Sequence, residues 1–292
     1  MMGDSNAGRS SIAKIIFQKL MSNQTMMLGE TNRIENYEFK IQKIDFKVYD
    51  FPTKYDVTEP PPNEQMILKN TYALIYIINP QVDTFKSLET FATYYEYMKK
   101  KNSNNCQFFI FINKADMELT TQDAKDEFLI KHKKKLIDEK IDSKIINFSF
   151  TSIYDYSVFE AFSKVVQKIL PCTTHICKLL NKLAAYCKID KMFIFDIHTK
   201  LFIAHNEELL IEPLKYEICS EMIDIYIDIS ALYYSEKREE GVENVDKDNT
   251  TSVKLNIDNH DKKENFILQD LDKSLCLAYQ IKESNYDRPY LI

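Results

Sequence analysis

The chain opens MMGDSNAGRSS. Gly3, Gly8 and Ser10 stand at the spacing of a loop that wraps phosphate between a strand and a helix. Backbone N–H groups of residues 4–10 would cradle a β-phosphate, helped by the N-terminus of the following helix. The phosphate-binding candidates are Gly3, Asp4, Ser5, Asn6, Ala7, Gly8, Arg9, Ser10 and Ser11. Ser10 also offers a hydroxyl to Mg²⁺. Arg9 stands where such loops carry lysine. It keeps the charge but is longer and planar, so the exchange is not neutral. The plain structural alternative is a glycine-containing turn capped by serines before a helix.

A second group follows the apolar run FFIFI. Asn113, Lys114 and Asp116 read N-K-x-D. A carboxylate at Asp116 can accept from both N1–H and the exocyclic amine of guanine, a donor pair that adenine lacks. The stem of Lys114 can lie along the base, and Asn113 can tie this loop to the phosphate loop. Ser152 and Ile153, after the run INFSF, are candidates for backbone N–H contacts to the base. Asp50, after VY, is placed to hold Mg²⁺ through water. Thr31 is the candidate metal-sensing hydroxyl. Thr53 stands where a glycine N–H would meet a γ-phosphate, and Lys54 follows it. The candidate metal set is therefore Ser10, Thr31 and Asp50, and the switch set Thr31, Asp50 and Thr53. No catalytic residue is assigned.

These residues need a scaffold, and the hydrophobic pattern supplies one. SSIAKIIFQKLMS has helical spacing, and FKIQKIDFKVYD alternates with one slip that marks a bulge or hairpin turn. YALIYII and QFFIFI are short continuous apolar runs, as strands buried on both faces require. TFKSLETFATYYEYMKKK and residues 121–140 are amphipathic helices, and DYSVFEAFSKVVQKIL is a further one that Pro171 stops. Alternating strands and helices imply an α/β domain with a mostly parallel sheet and helices on both faces. Ligands in such sheets bind at the carboxyl ends of strands, where every candidate above lies. After Pro171 the pattern changes to α+β. A helix at 174–188 and a hairpin turning at His198-Thr199 come first. A long apolar-rich helix, LLIEPLKYEICSEMIDIYIDISALY, a polar loop at 235–250 and three strands follow. The boundaries expected are 1–171 and 172–292.

Composition narrows the function. The 292 residues carry a net charge of −6, with the acidic excess confined to residues 172–292, which disfavours nucleic acid and favours a protein partner. No apolar run spans a bilayer, so no direct membrane insertion is expected. Six scattered cysteines form no C-x-x-C pair, so zinc is not expected, and reduced, mostly buried thiols in the cytosol are. Only four glycines are present, two of them in the opening loop.

Taken together, the chain resembles the Rag-family small GTPases of the C/D type. TSIYDYSVFEAFSKVVQKILP (151–171) carries the resemblance most specifically, with GRSSIAKIIFQKL, ETNRI, DFP, NTYALIYIIN and YEICSEMIDIYIDIS in agreement. The resemblance covers both halves. It implies a Ras-like P-loop GTPase domain followed by a roadblock/longin-like domain, GTP or GDP with Mg²⁺ as cofactors, and an A/B-type Rag as partner through residues 172–292. It also implies a scaffold at the lysosomal or vacuolar surface, reached from the cytoplasm through partners, and amino-acid signalling to the target-of-rapamycin complex.

The sequence departs from that family in three ways. Arg9 replaces the loop lysine, and Thr53-Lys54 replace Gly-Gln, so hydrolysis is expected to be weak or absent. Both ends are short. Met1-Met2 are expected to be too few for the strand before Gly3, and the chain stops at RPYLI where a terminal helix is expected, the pattern of an incomplete or truncated gene product. Three readings stay open at this point: a guanine-nucleotide switch subunit, a pseudo-GTPase that works by dimerisation and docking, and an ATPase or small-molecule kinase.

Overall fold

The computed structural model describes residues 1–53, 55–102, 105–206, 213–239, 252–259, 262–272 and 274–282. Two compact units divide the chain, one of Met1–Lys40 and Ile44–Ile169 and the other of Ile41–Lys43 and Leu170–Ile292.

The first unit runs β1 (Met2–Gly3), α1 (Arg9–Gln18), β2 (Glu35–Ile41), β3 (Ile44–Asp50), α2 (Pro62–Lys69), β4 (Ala73–Ile78), α3 (Thr84–Lys101), β5 (Gln107–Asn113), α4 (Ala115–Glu118), α5 (Gln122–Asp138), β6 (Ile146–Thr151) and α6 (Ser157–Ile169). Strands β1, β4, β5 and β6 form a parallel sheet in that order. The strand expected to be missing is present, but it is two residues long. Met2 pairs with Tyr76 and Gly3 with Ile77, while Phe51 N–H donates to Met1 O at 3.1 Å. These few bonds link the sheet to the β2–β3 hairpin. The slip in the apolar alternation is the hairpin turn, where Gln42 takes a positive φ of 56°.

The strands of the parallel sheet are apolar on both sides because both sides are covered. Leu74, Tyr76 and Ile78 face a core with Phe108, Ile110 and Ile112, completed by Leu68 of α2, Leu88, Phe91 and Met98 of α3, and Leu136 of α5. The alternate residues Ile75, Ile77, Phe109 and Phe111 are equally buried. Helix α6 packs against β5 and β6. Phe17 of α1 meets Phe162 of α6 edge-on at 5.3 Å and stacks on Phe39 of the hairpin at 5.0 Å. Burying a side chain of this size contributes about 1.5–3 kcal/mol. Helix α3 begins where its cap dictates, since the Asp83 carboxylate accepts from Phe85 N–H and Lys86 N–H. Helix α2 was not anticipated. Its proline at the first position lacks an N–H the helix does not need there.

The second unit runs α7 (Thr173–Cys187), β7 (Lys191–Asp196), β8 (Phe202–His205), α8 (Pro213–Glu239), β9 (Ser252–Asn259), β10 (Lys262–Asp272) and β11 (Leu275–Lys282). Its sheet is antiparallel in the order β8-β7-β11-β10-β9. Leu180 and Ala184 of α7 pack with Met192, Ile267 and Ile281. Tyr216 of α8 packs edge-on against Phe195 and Phe202. The polar loop expected at 235–250 is corrected at its start, because α8 continues to Glu239. Lys and Glu are good helix formers, so charge there does not end the helix. Residues 240–250 and 283–292 lie outside the described residues. Leu179, Leu183 and Tyr186 form an exposed apolar stripe along α7. Ile225 of α8 is also exposed.

Burial sorts the cysteines. Cys106, Cys219 and Cys276 are buried, and burial pushes each thiol up to about 12. Cys172 is exposed. The thiolate is the reactive form. A maleimide or disulfide reagent should therefore label Cys172 first, and the three buried thiols at least about 100-fold more slowly until the chain unfolds. Mass-spectrometric mapping of the labels checks this. Prompt labelling of Cys276 in the folded chain would contradict the described core.

Candidate functional site

The candidate residues come together at the carboxyl ends of β1, β3, β5 and β6. The loop after β1 turns through Asn6 at φ 55° and Gly8 at φ 88°, and α1 starts at Arg9. No side chain caps α1. The first N–H groups of a helix lack intrahelical acceptors, so an anion is their natural cap. Space is tight here. A Cβ on Gly8 would lie 2.5 Å from Asn113 Nδ2. The Asp4 N–H donates to Ile77 O at 3.2 Å, continuing the pairing of β1 with β4. Its carboxylate accepts from Tyr76 OH at 3.1 Å and Ser87 Oγ at 2.5 Å. Burial pushes that carboxyl above the usual carboxylate range, and the two hydroxyls pull it back. Ser5 and Asn6 are exposed at the loop tip, and Ala7 is buried.

Asn113 joins three loops. It is 1% exposed, its Nδ2 donates to Ala7 O at 2.7 Å, and its Oδ1 accepts from Thr151 Oγ1 at 3.2 Å. Lys114 takes a left-handed φ of 63° and starts the short α4, which turns the Asp116 carboxylate out to solvent. Ser152 is buried, and its N–H donates to Ser157 Oγ at 2.8 Å. That amide is engaged in the turn into α6. Ile153 O accepts from Ser22 Oγ at 2.6 Å, tying the segment after α1 to this loop. Ser22, Tyr76 and Ser87 were not anticipated as site residues, and only the fold brings them here.

Three oxygens meet beside the loop. Ser10 Oγ lies 2.6 Å from Thr31 Oγ1 and donates to Asp50 Oδ2 at 2.5 Å. Asp50 is fully buried, and its Oδ1 has no hydrogen-bond partner among the described residues. An oxygen-only set with one buried carboxylate suits a hard cation such as Mg²⁺.

Arg9 is turned inward and is 5% exposed. Its Nη1 donates to Gly3 O and to Asp4 O, and its Nη2 donates to Thr53 Oγ1 at 2.8 Å. Its Nε faces Asp50 Oδ1 at 3.4 Å, an ion pair without hydrogen-bond geometry. Thr53 is half-buried, and Lys54 lies outside the described residues.

Comparison with known proteins identifies the family. The chain matches the family described as Gtr1/RagA G protein conserved region over residues 1–223. It is 33% identical to the Ras-related GTP-binding protein D of Mus musculus over the whole chain, and spans 64% of that protein's length. It is also 33% identical to the Ras-related GTP-binding protein C of Homo sapiens, across 72% of that protein. Against GTP-binding protein GTR2 of Saccharomyces cerevisiae the identity is 28%, over 98% of the chain and 85% of that protein. The likeness to A-type relatives is more partial, with 25% identity over 70% of the chain to the Ras-related GTP-binding protein A of Dictyostelium discoideum. The chain belongs to the Gtr1/RagA G-protein family, and within it to the Rag C/D type.

Proposed function

We propose that the chain is the C/D-type, guanine-nucleotide-binding subunit of a heterodimeric Rag GTPase. In this reading residues 1–171 bind GTP or GDP with Mg²⁺, and residues 172–292 form a roadblock-type domain that pairs with an A/B-type Rag. The dimer signals amino-acid sufficiency to the target-of-rapamycin complex from the lysosomal or vacuolar surface. The observation that carries the proposal is the Asn113 amide, which holds the candidate guanine loop against the candidate phosphate loop. The uncapped α1 and the oxygens of Ser10, Thr31 and Asp50 support the phosphate and metal parts. The apolar stripe of α7 and Ile225 of α8 are surface that pairing would cover. No described helix is long and apolar enough to cross a membrane, so attachment through partners is the arrangement proposed. Hydrolysis is weak in this reading, because Lys54 stands where glutamine would orient the attacking water.

The inward turn of Arg9 favours a second reading, a pseudo-GTPase that acts by holding its partner. One experiment separates the two. The full chain is co-expressed with an A/B-type Rag whose own nucleotide site has been inactivated, and fluorescent GDP and GTP are titrated in with Mg²⁺ and ATP as competitor. Binding displaced by guanine but not adenine nucleotides is expected. No binding by a folded heterodimer would establish the pseudo-GTPase, and a chain that stays monomeric would remove the pairing.

A further inference from the structure

A guanidinium has five N–H donors in one plane. Arg9 directs Nη1 at two loop carbonyls, Nη2 at Thr53 and Nε at Asp50. One buried side chain thus grips the phosphate loop and both residues of the DFPT segment that reach it. A lysine has a single nitrogen and cannot span Gly3, Asp4 and Thr53 at once. The Arg9 bond fixes the Thr53 hydroxyl, and with it the backbone where a γ-phosphate would be read.

We propose that Arg9 is a positioning residue that latches Thr53 onto the phosphate loop and sets the discrimination between triphosphate and diphosphate. The inference rests on the guanine-nucleotide reading of this site. A γ-phosphate would lie beyond the β-phosphate cradle, toward Ser10 and Thr53, and the basic residue of such a loop serves both the β- and the γ-phosphate. To reach a γ-phosphate, Nη2 would have to leave the Thr53 hydroxyl. A diphosphate would depend on that release less, because the backbone N–H groups of the loop would hold its β-phosphate. The latch would therefore oppose GTP more than GDP, and the arginine that departs from the lysine rule would bias the subunit toward the diphosphate.

The test uses the full chain with an A/B-type partner whose own nucleotide site has been inactivated, and measures affinities for fluorescent GDP and GTP in Mg²⁺. Thr53→Val removes the hydroxyl and keeps the shape and the backbone N–H. The ratio of GTP to GDP affinity should rise about tenfold, the size of one charge-assisted hydrogen bond. Thr53→Ser restores the acceptor and should restore the original ratio. Arg9→Lys keeps the charge, loses the reach, and should move the ratio in the same direction as Thr53→Val. An unchanged ratio in Thr53→Val, or a Thr53→Ser variant that behaves like Thr53→Val, overturns the latch and leaves nucleotide binding standing. Absence of guanine-nucleotide binding by the unaltered heterodimer overturns the nucleotide reading, and the latch falls with it.

Discussion

Asp116→Ala should lower the affinity for GDP by about 100-fold or more and erase the preference for guanine over adenine nucleotides. The carboxylate would accept two hydrogen bonds from the base, and each bond to a charged group contributes about 1.5–3 kcal/mol. No other group of the candidate guanine loop offers an acceptor pair to that edge of guanine. Asp116 is exposed on α4, so alanine leaves neither a cavity nor an orphaned donor in the core. Thermal stability should therefore stay within about 0.5 kcal/mol of the parent. Asn113→Ala is the contrasting case. It removes a buried amide that bonds Ala7 O and Thr151 Oγ1, so binding and stability should fall together. Isothermal titration with GDP of the heterodimer whose partner site has been inactivated, alongside melting curves, separates the two outcomes. GDP binding that survives Asp116→Ala unchanged would mean that the N-K-x-D stretch does not read the base.

What could be read from the residues alone was what depends on neighbours in sequence. The apolar runs of β4 and β5 are legible because a strand covered on both faces leaves no polar position. Helix α3 is legible from Asp83 onward because a cap and a helical stripe are both local signals. The spacing of Gly3, Gly8 and Ser10 and the order Asn113, Lys114, Asp116 are local as well. The remainder depends on residues far apart in the chain. Arg9 finds Thr53 only after 44 residues have folded back, and no pattern around Arg9 announces it. The Ser152 amide is engaged because Asp155 orients Ser157, a short network that the letters TSIYDYS do not reveal. Strand β1 has no periodicity at two residues and exists because β4 offers a partner. Helix α8 outran its expected end because charge was read as loop where helix propensity prevailed.

That dependence makes Gly3 the most demanding position in the first unit. Gly3→Ala should lower the melting temperature of that unit by about 8–16 °C, taking about 4 kcal/mol of strain and lost pairing at about 2–4 °C per kcal/mol. Gly3 sits at φ 151°, where a side chain is strained, and a Cβ there would lie 2.2 Å from Ile77 O and 2.8 Å from Ile77 N. Those are backbone atoms of a buried central strand, and they cannot swing aside as a side chain can. Relief requires β1 to move from β4. Its two residues carry the pairing to β4, and the Asp4 N–H bond to Ile77 O goes with them. The phosphate loop would lose its anchor, so nucleotide binding should fail in the same variant. Gly8→Ala differs in kind. Its Cβ would meet the Asn113 side chain at 2.5 Å, so the injury falls on the site more than on the sheet. Gly29→Ala is the control, because nothing lies within 4 Å of its Cβ. Calorimetry on the three variants should rank them Gly3, Gly8, Gly29 in loss of stability. If Gly3→Ala melts with Gly29→Ala, the two-residue strand does not hold the sheet to the loop, and the geometry assigned to Arg9, Ser10 and Asp50 loses its support.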